Sequence, residues 1–315
     1  LSRGLGDVYK RQLYMNQVAI NTNFSDMAKL MGMSVDNQQT EKASTLARLR
    51  ISHAPIMGEA EVNGKTKKVE VVEGGTYRLE IPDGPTYYAS KAVIRPFVQR
   101  FMYKRFVKGN DSTPNRYIKT VMADNLTIDL KDNDGGFNCG KPAGYIQDFK
   151  ALPESMQELI KQIKRVRVVF GTVELIDPVD MAGKPVDLSS TPFIWEVENR
   201  DAFKSIGTIF TKLGKMRRLP PQHTFTATTA EQSLPNGNSF YLPETALDLQ
   251  TTLELDDATQ ETLGNFLAWV TNYNEYISNA WDENAHKHEA VDKEGVEEFI
   301  DINDCLLYTS PSPRD

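Results

Sequence analysis

Cysteine is scarce in this chain, with 2 in 315 residues, Cys139 and Cys305. That excludes a disulfide scaffold and points to a reducing compartment. Histidine is nearly as rare. His286 and His288 stand two apart, which sends them to different sides of a helix, so no zinc constellation forms from them and Cys139. Neither HExxH nor GxSxG occurs, and nothing identifies a His partner for Cys139, which reads as a small buried residue. No apolar run approaches the roughly 20 residues of a membrane span, and no secretory leader is visible. The expectation is a soluble cytoplasmic protein with no cofactor, no metal, no membrane partner and no catalytic residue.

The ends read as foreign segments. CLLYTSPSPRD, residues 305–315, can be encoded by DNA that resembles a transposon adapter used in sequencing libraries. The reverse complement of that DNA, shifted by one base, reads SRGLGDVYKRQ, Ser2 to Gln12. Opposite strands of one short DNA at the two ends of a chain are not the product of selection on a protein. The natural insert is expected from Leu13 to about Asp304, with its true C-terminus missing. The formal net charge of −7 becomes more negative without these ends, which hold Arg3, Lys10, Arg11 and Arg314 against Asp7 and Asp315.

Within the insert, residues 13–45 read as an arm and linker, with a short helix capped by Ser25. Residues 46–252 form a β-rich core domain with inserted helices. LARLRI, EAEV, KTKKVEVV and TYRLEI alternate with Asn63-Gly64, Gly74-Gly75 and Asp83-Gly84, dipeptides that supply the positive φ of tight hairpins. TYYASKAVIRPFVQRFMYKRFV and TVMADNLTIDL read as further strands. LPESMQELIKQIK is a helix, with Met156, Leu159, Ile160 and Ile163 on one face. RVRVVFGTVELI follows as a strand with a bulge expected at Gly171. DAFKSIGTIFTKL is a helix capped by Asp201, and HTFTATTAEQSL with SFYL makes a hairpin. Residues 253–288 are an amphipathic helix presenting Leu263, Phe266, Leu267, Val270, Ile277 and Trp281, and 289–304 an acidic tail expected to be disordered. The predicted fold class is α+β: an antiparallel β-rich core, an OB-like barrel or meander, with peripheral helices.

GGFNCGKP, residues 135–142, has the spacing of a phosphate-cradling loop. Pro142 stands where the metal-binding hydroxyl belongs, and no helix begins there, so nucleotide hydrolysis is not expected. DLKDNDGG fails the EF-hand pattern, with Lys131 at position 3 and Asp134 where glycine is required. What stands out is charge asymmetry in an acidic chain. Residues 87–119 hold many cations against Asp111 alone and interleave them with rings; Lys161–Arg167 and Lys212–Arg218 are two further basic runs. Cations that track a phosphate backbone, alternating with rings on which unpaired bases stack, are what a single-strand binder needs. The competing reading is an ordinary half-buried strand: Phe97, Phe101 and Tyr103 fall on one parity, Arg100 and Lys104 on the other.

GGFNCGKPAGYIQDF, LPE, IKRVRVVFG, KMRRLPPQHTF and GNSFYLPE, in that order across Arg48 to Leu247, resemble proteins of tailed phages associated with replication and single-stranded-DNA binding. The resemblance implies an oligonucleotide-binding core and an acidic, partner-recruiting tail for phage replication proteins, in an infected bacterial host. On this reading Arg95, Arg100, Lys104, Arg105, Lys141, Arg165, Arg167, Arg217 and Arg218 contact phosphates. Tyr87, Tyr88, Tyr103 and Tyr117 stack on bases, and homo-oligomers are expected. The alternative is a phage virion or assembly protein, in which meander and helix form subunit contacts.

Overall fold

The computed structural model describes residues 46–306, apart from 63–64, 111–113, 143, 145, 235–236 and 238. The expected arm over 13–45, with its Ser25-capped helix, lies outside the described residues.

The architecture is α+β, built on a mixed, mostly antiparallel nine-stranded sheet. In chain order the strands are β1 (Ala47–Ser52), β2 (Ile56–Val62), β3 (Lys65–Val72), β4 (Thr76–Glu80), β5 (Thr86–Ala89), β6 (Lys91–Val107), β7 (Arg116–Lys119), β8 (Ile163–Ile176), β9 (Thr191–Val197), β10 (Phe225–Ser233) and β11 (Ser239–Leu247). The helices are α1 (Glu154–Gln162), α2 (Arg200–Lys215) and α3 (Asp257–Leu306). The sheet order is β11-β10-β6-β8-β9-β1-β4-β5, with β7 beside β6, while β2 and β3 form a separate ribbon. Among the described strands only β1 and β9 pair in parallel. The path curls back on itself, because the Tyr77 hydroxyl of β4 donates to the Thr228 carbonyl of β10, and the Thr229 hydroxyl donates to the Gly75 carbonyl.

Two of the expected turns fall where their chemistry places them; Asn63-Gly64 lies outside the described residues. Gly75, φ 83°, turns β3 into β4, and Asp83, φ 54°, turns β4 into β5. α2 packs Ile206, Ile209, Phe210 and Leu213 into the hollow of the curl against Leu79, Phe193, Trp195 and Phe225. Its N-cap is Asn199 rather than Asp201: the Asn199 side chain accepts from the amides of Asp201 and Ala202. The outer face of the sheet carries α3, whose Phe266 and Val270 meet Phe97, Met102, Val166, Val168 and Phe170. Asp256 caps α3 by accepting from the Thr259 amide. Leu267, expected on the buried side, is 40% exposed. Helical backbone continues through 289–304 to Leu306, past the boundary expected at 288.

Three expectations shift. The expected helix over 152–164 stops at Gln162, and Ile163 already belongs to β8. The bulge lies opposite Gly171 rather than on it: Pro96 pairs with Gly171 and Val98 with Phe170, leaving Phe97 as the extra residue. That insertion breaks the parity read from the sequence, so Phe97 joins the α3 face while Phe101 and Tyr103 remain on the other. TVMADNLTIDL is not a strand but an irregular segment held by single bridges, Phe101 to Ala123 and Thr120 to Asp132. α3 supplies much of its backbone pairing. Asn274 accepts from the Met122 amide at 2.7 Å and donates to the Met122 carbonyl at 2.9 Å, as a neighbouring strand would, and the Tyr273 hydroxyl donates to the Thr120 carbonyl.

Candidate nucleic-acid interface

β6 and β8 are the longest strands, and their partners cover only part of them. β10 pairs with β6 at Ala92–Ile94 alone, and β9 pairs with β8 over Arg167–Val173. The ribbon therefore projects past both neighbours, and its projecting end, flanked on β6 by β7 alone among the described strands, carries cations of the first two basic runs. Alternation divides that end into two faces. Lys104, Phe106 and Lys164 share one with Tyr117 and Lys119 of β7, while Tyr103, Arg105, Ile163 and Arg165 share the other.

On the first face the cations are partly neutralised by β9 and its exit. Lys104 Nζ lies 2.9 Å from Glu196 and 2.6 Å from Glu198; Lys119 reaches Glu196 at 3.3 Å and Lys164 reaches Glu198 at 2.9 Å. Burial alone would raise both carboxyls, but these lysines outweigh it and hold Glu196 and Glu198 below the usual carboxylate range. Burial likewise opposes the Lys104 charge, yet the two carboxylates hold its ammonium above the ordinary value. Beyond this network, Phe106 and Tyr117 form a cross-strand ring pair with centroids 5.1 Å apart. The rings are 45% and 52% exposed, and Lys104 Nζ sits 4.8 Å from the Tyr117 centroid.

The second face opens onto a cleft of about 720 Å³ between the ribbon, α1 and the loop after Lys141. Its lining includes Tyr103, Lys141, Ile160, Ile163 and Arg165. Three residues expected at a binding site from separate stretches of sequence thus meet in one place. The Lys141 ammonium donates to the carbonyls of Pro142 and Gly144 at 3.0 and 2.9 Å and lies 5.8 Å from the Tyr103 ring. Burial lowers the Lys141 pKa; Asp129 opposes that and Arg165 adds to it.

The remaining expected contacts are scattered. Tyr88 and Tyr103 are buried, and Tyr87 packs against the core, so of the four tyrosines only Tyr117 offers an open ring face. Arg95 is a brace, donating to the Pro221 and Glu254 carbonyls. Arg100 pairs with Asp124 at 3.0 Å. Arg167 is buried, stacked between Phe101 and Phe203. Arg217, at φ 55°, and Arg218, which donates to the Leu249 carbonyl, follow the end of α2 and line none of the clefts at the ribbon end. Arg105 borders a second cavity of about 530 Å³, and its Nε is buried without a hydrogen-bond partner among the described residues. Phe106 is absent from the expected set. Its signal was its position one residue beyond Arg105, but only the β6–β7 register sets it beside Tyr117.

The glycine-rich loop does cradle an anion, and the anion is its own Asp132. One carboxylate oxygen accepts from the Asp134 and Gly136 amides at 3.0 and 2.9 Å, and the other accepts from Cys139 N–H at 3.0 Å. Burial nonetheless outweighs these bonds and raises the Asp132 pKa. Cys139, at φ 58°, is 1% exposed, and burial pushes its thiol up to about 12. The Asp129 carboxylate accepts from Asn138, and Asp134 pairs with Arg116. Among the described residues no group of three or more His, Cys, Asp or Glu is placed to share a metal ion. The loop docks on α3: Trp281 Nε1 donates to the Gly136 carbonyl, and a side chain at Gly135 would strike the backbone of Asn284 and Ala285.

Among the described residues no helix is long and apolar enough to cross a membrane. No protein-family profile, curated protein or solved structure matches the chain.

Proposed function

We propose that this protein binds single-stranded DNA at the free end of the β6–β8 ribbon, as a non-enzymatic replication or recombination protein of the tailed-phage type. The supporting observation is the exposed Phe106–Tyr117 ring pair standing among Lys104, Lys119 and Lys164. Stacking of one base on an open aromatic face contributes about 1–3 kcal/mol and tolerates any sequence. Glu196 and Glu198 hold these lysines in place between encounters, and a strand competes for them with its phosphates. An acidic segment after residue 288 recruits replication proteins and competes for the same cations. A second reading, a virion or assembly protein, is favoured by the helical backbone of α3 continuing to Leu306.

Binding of the full chain to fluorescent oligo-dT across a salt series tests the proposal. Affinity should fall steeply with salt through counterion release. Phe106→Ala and Tyr117→Ala should each weaken binding by roughly 5- to 150-fold, the equivalent of one lost stacking contact. No detectable binding at low salt, or full affinity in the double variant, refutes it. A discrete salt-independent oligomer that ignores DNA would favour the assembly reading.

A further inference from the structure

The cleft on the second face of the ribbon end is built differently from the open ring pair. We infer that it takes one nucleoside monophosphate group, either as a free nucleotide or as the phosphorylated end of a strand. The inference extends the strand-binding reading and rests on it for the class of ligand.

Two cations converge there. Lys141 and Arg165 both line the cleft, close enough for Arg165 to lower the Lys141 pKa, and neither has a salt bridge among the described residues. The carboxylate that offsets them, Asp129, already accepts from Asn138 at 2.6 Å. Two of the three Lys141 N–H donors hold the carbonyls of Pro142 and Gly144, which fixes the ammonium and leaves the third donor open. Arg165 is exposed and adds the planar fork that suits phosphate oxygens. A fixed pair of like charges is relieved by an anion, and a phosphate monoester carries close to two negative charges at neutral pH.

The rest of the wall is apolar. Leu126, Ile146, Ile160 and Ile163 line it, and α1 has no fully buried residue, so the apolar side of that helix is only half covered. Phosphate alone would leave these side chains wet. A phosphate joined to a flat, weakly polar group would cover them, and the volume of about 720 Å³ lies within the range of small-molecule sites, about 300–1,000 Å³. Tyr103 cannot itself be the stacking partner, because the residue is only 4% exposed and its ring lies under Lys141.

The test is calorimetric titration of the full chain, at low salt, with thymidine monophosphate, thymidine and inorganic phosphate. A parallel arm uses oligo-dT with and without a 5′ or 3′ terminal phosphate. Thymidine monophosphate should bind at least tenfold more tightly than either fragment. Arg165→Ala and Lys141→Ala should each lower that affinity about tenfold or more, with Arg165→Lys intermediate and thermal unfolding of the Arg165 variants unchanged. A terminal phosphate that strengthens oligonucleotide binding in the parent and not in Arg165→Ala assigns the group to a strand end; no gain assigns it to a free nucleotide. Thymidine monophosphate binding no better than phosphate, or equally well to Arg165→Ala, overturns the inference. If oligo-dT binds while the mononucleotide does not, the cleft assignment fails and strand binding stands. The reverse result fails strand binding and leaves the cleft.

Discussion

Arg167→Met separates a structural arginine from a DNA-binding one. Arg167 belongs to a basic run that reads as a phosphate contact, yet its side chain lies under α2. Nε donates to the Phe203 carbonyl at 3.1 Å, Nη1 donates to Gln99 Oε1, and the guanidinium carbon sits 4.8 and 4.5 Å from the Phe101 and Phe203 ring centroids. Hydrogen bonds from a charged group contribute about 1.5–3 kcal/mol each, and each ring contact about 0.5–2 kcal/mol. Against this stands the cost of removing a guanidinium from water, several kcal/mol, which methionine does not incur. Methionine fills much of the volume but leaves the half-buried Gln99 oxygen without its donor, a loss of about 1–3 kcal/mol. The balance is a destabilisation of about 2–3 kcal/mol. In a domain of this size that corresponds to a fall in Tm of roughly 4–12 °C. The assay is thermal unfolding alongside oligonucleotide titration, with affinity expressed per folded molecule. The expected result is a lowered Tm with unchanged affinity and salt slope. An unchanged Tm with weakened binding would make Arg167 a DNA contact and not a structural brace.

Gly171 faces Arg95 across the β6 bulge, where a Cβ would collide with the Arg95 carbonyl oxygen. Gly171→Ala should therefore cost about 1–3 kcal/mol or more through overpacking, and a urea midpoint equal to the parent's would contradict this. Asn274→Ala removes both bonds to Met122 and should cost about 1–3 kcal/mol. Hydrogen exchange should accelerate at the Met122 amide before the β6–β8 ribbon; equal protection would show that the α3 latch does not hold that segment. The Glu196 and Glu198 carboxyls titrate below the ordinary 4.5 in the folded chain. Their contribution is thus fully present above the unfolded value and lost as pH falls through the folded ones. Lys104, raised above 10.5, contributes below that value and loses its contribution as pH rises through the folded one. Urea unfolding from roughly pH 3 to 7 should show a shallower acid loss in Lys104→Met than in the parent; identical slopes would remove Lys104 from the network.

The fold was legible wherever chemistry acts over a few residues. Gly74-Gly75 and Asp83-Gly84 turn the chain because their backbones accept positive φ. The spacing of Phe266, Val270 and Ile277 gives α3 a buried side because a helix repeats every 3.6 residues. The site was legible only as composition: rings and cations between residues 87 and 119, with Lys141 and Arg165 apart from them. What alternation along β6 suggested failed at Phe97, because the bulge that switches the face is set by Gly171, more than 70 residues away in the chain.

By itself the sequence determined an α+β chain with hairpin turns, an amphipathic C-terminal helix and a strongly basic stretch in an acidic background. These follow from local backbone preference, hydrophobic period and charge count. Tertiary structure alone decided which charges are spent and which are open. Register across the sheet gave Lys104, Lys119 and Lys164 to Glu196 and Glu198, packing turned Arg95 and Arg167 into braces, and the local loop conformation filled the glycine-rich loop with the Asp132 carboxylate. The same pairing brought Lys141 to Arg165 and Phe106 to Tyr117. The lysine–glutamate network, the arginine braces and the Lys141–Arg165 pair depend on what lies across a strand or under a helix, where the partners are far apart in the chain; Asp132 and the Phe106–Tyr117 pair have near neighbours as partners, but a loop conformation and a strand register decide those contacts.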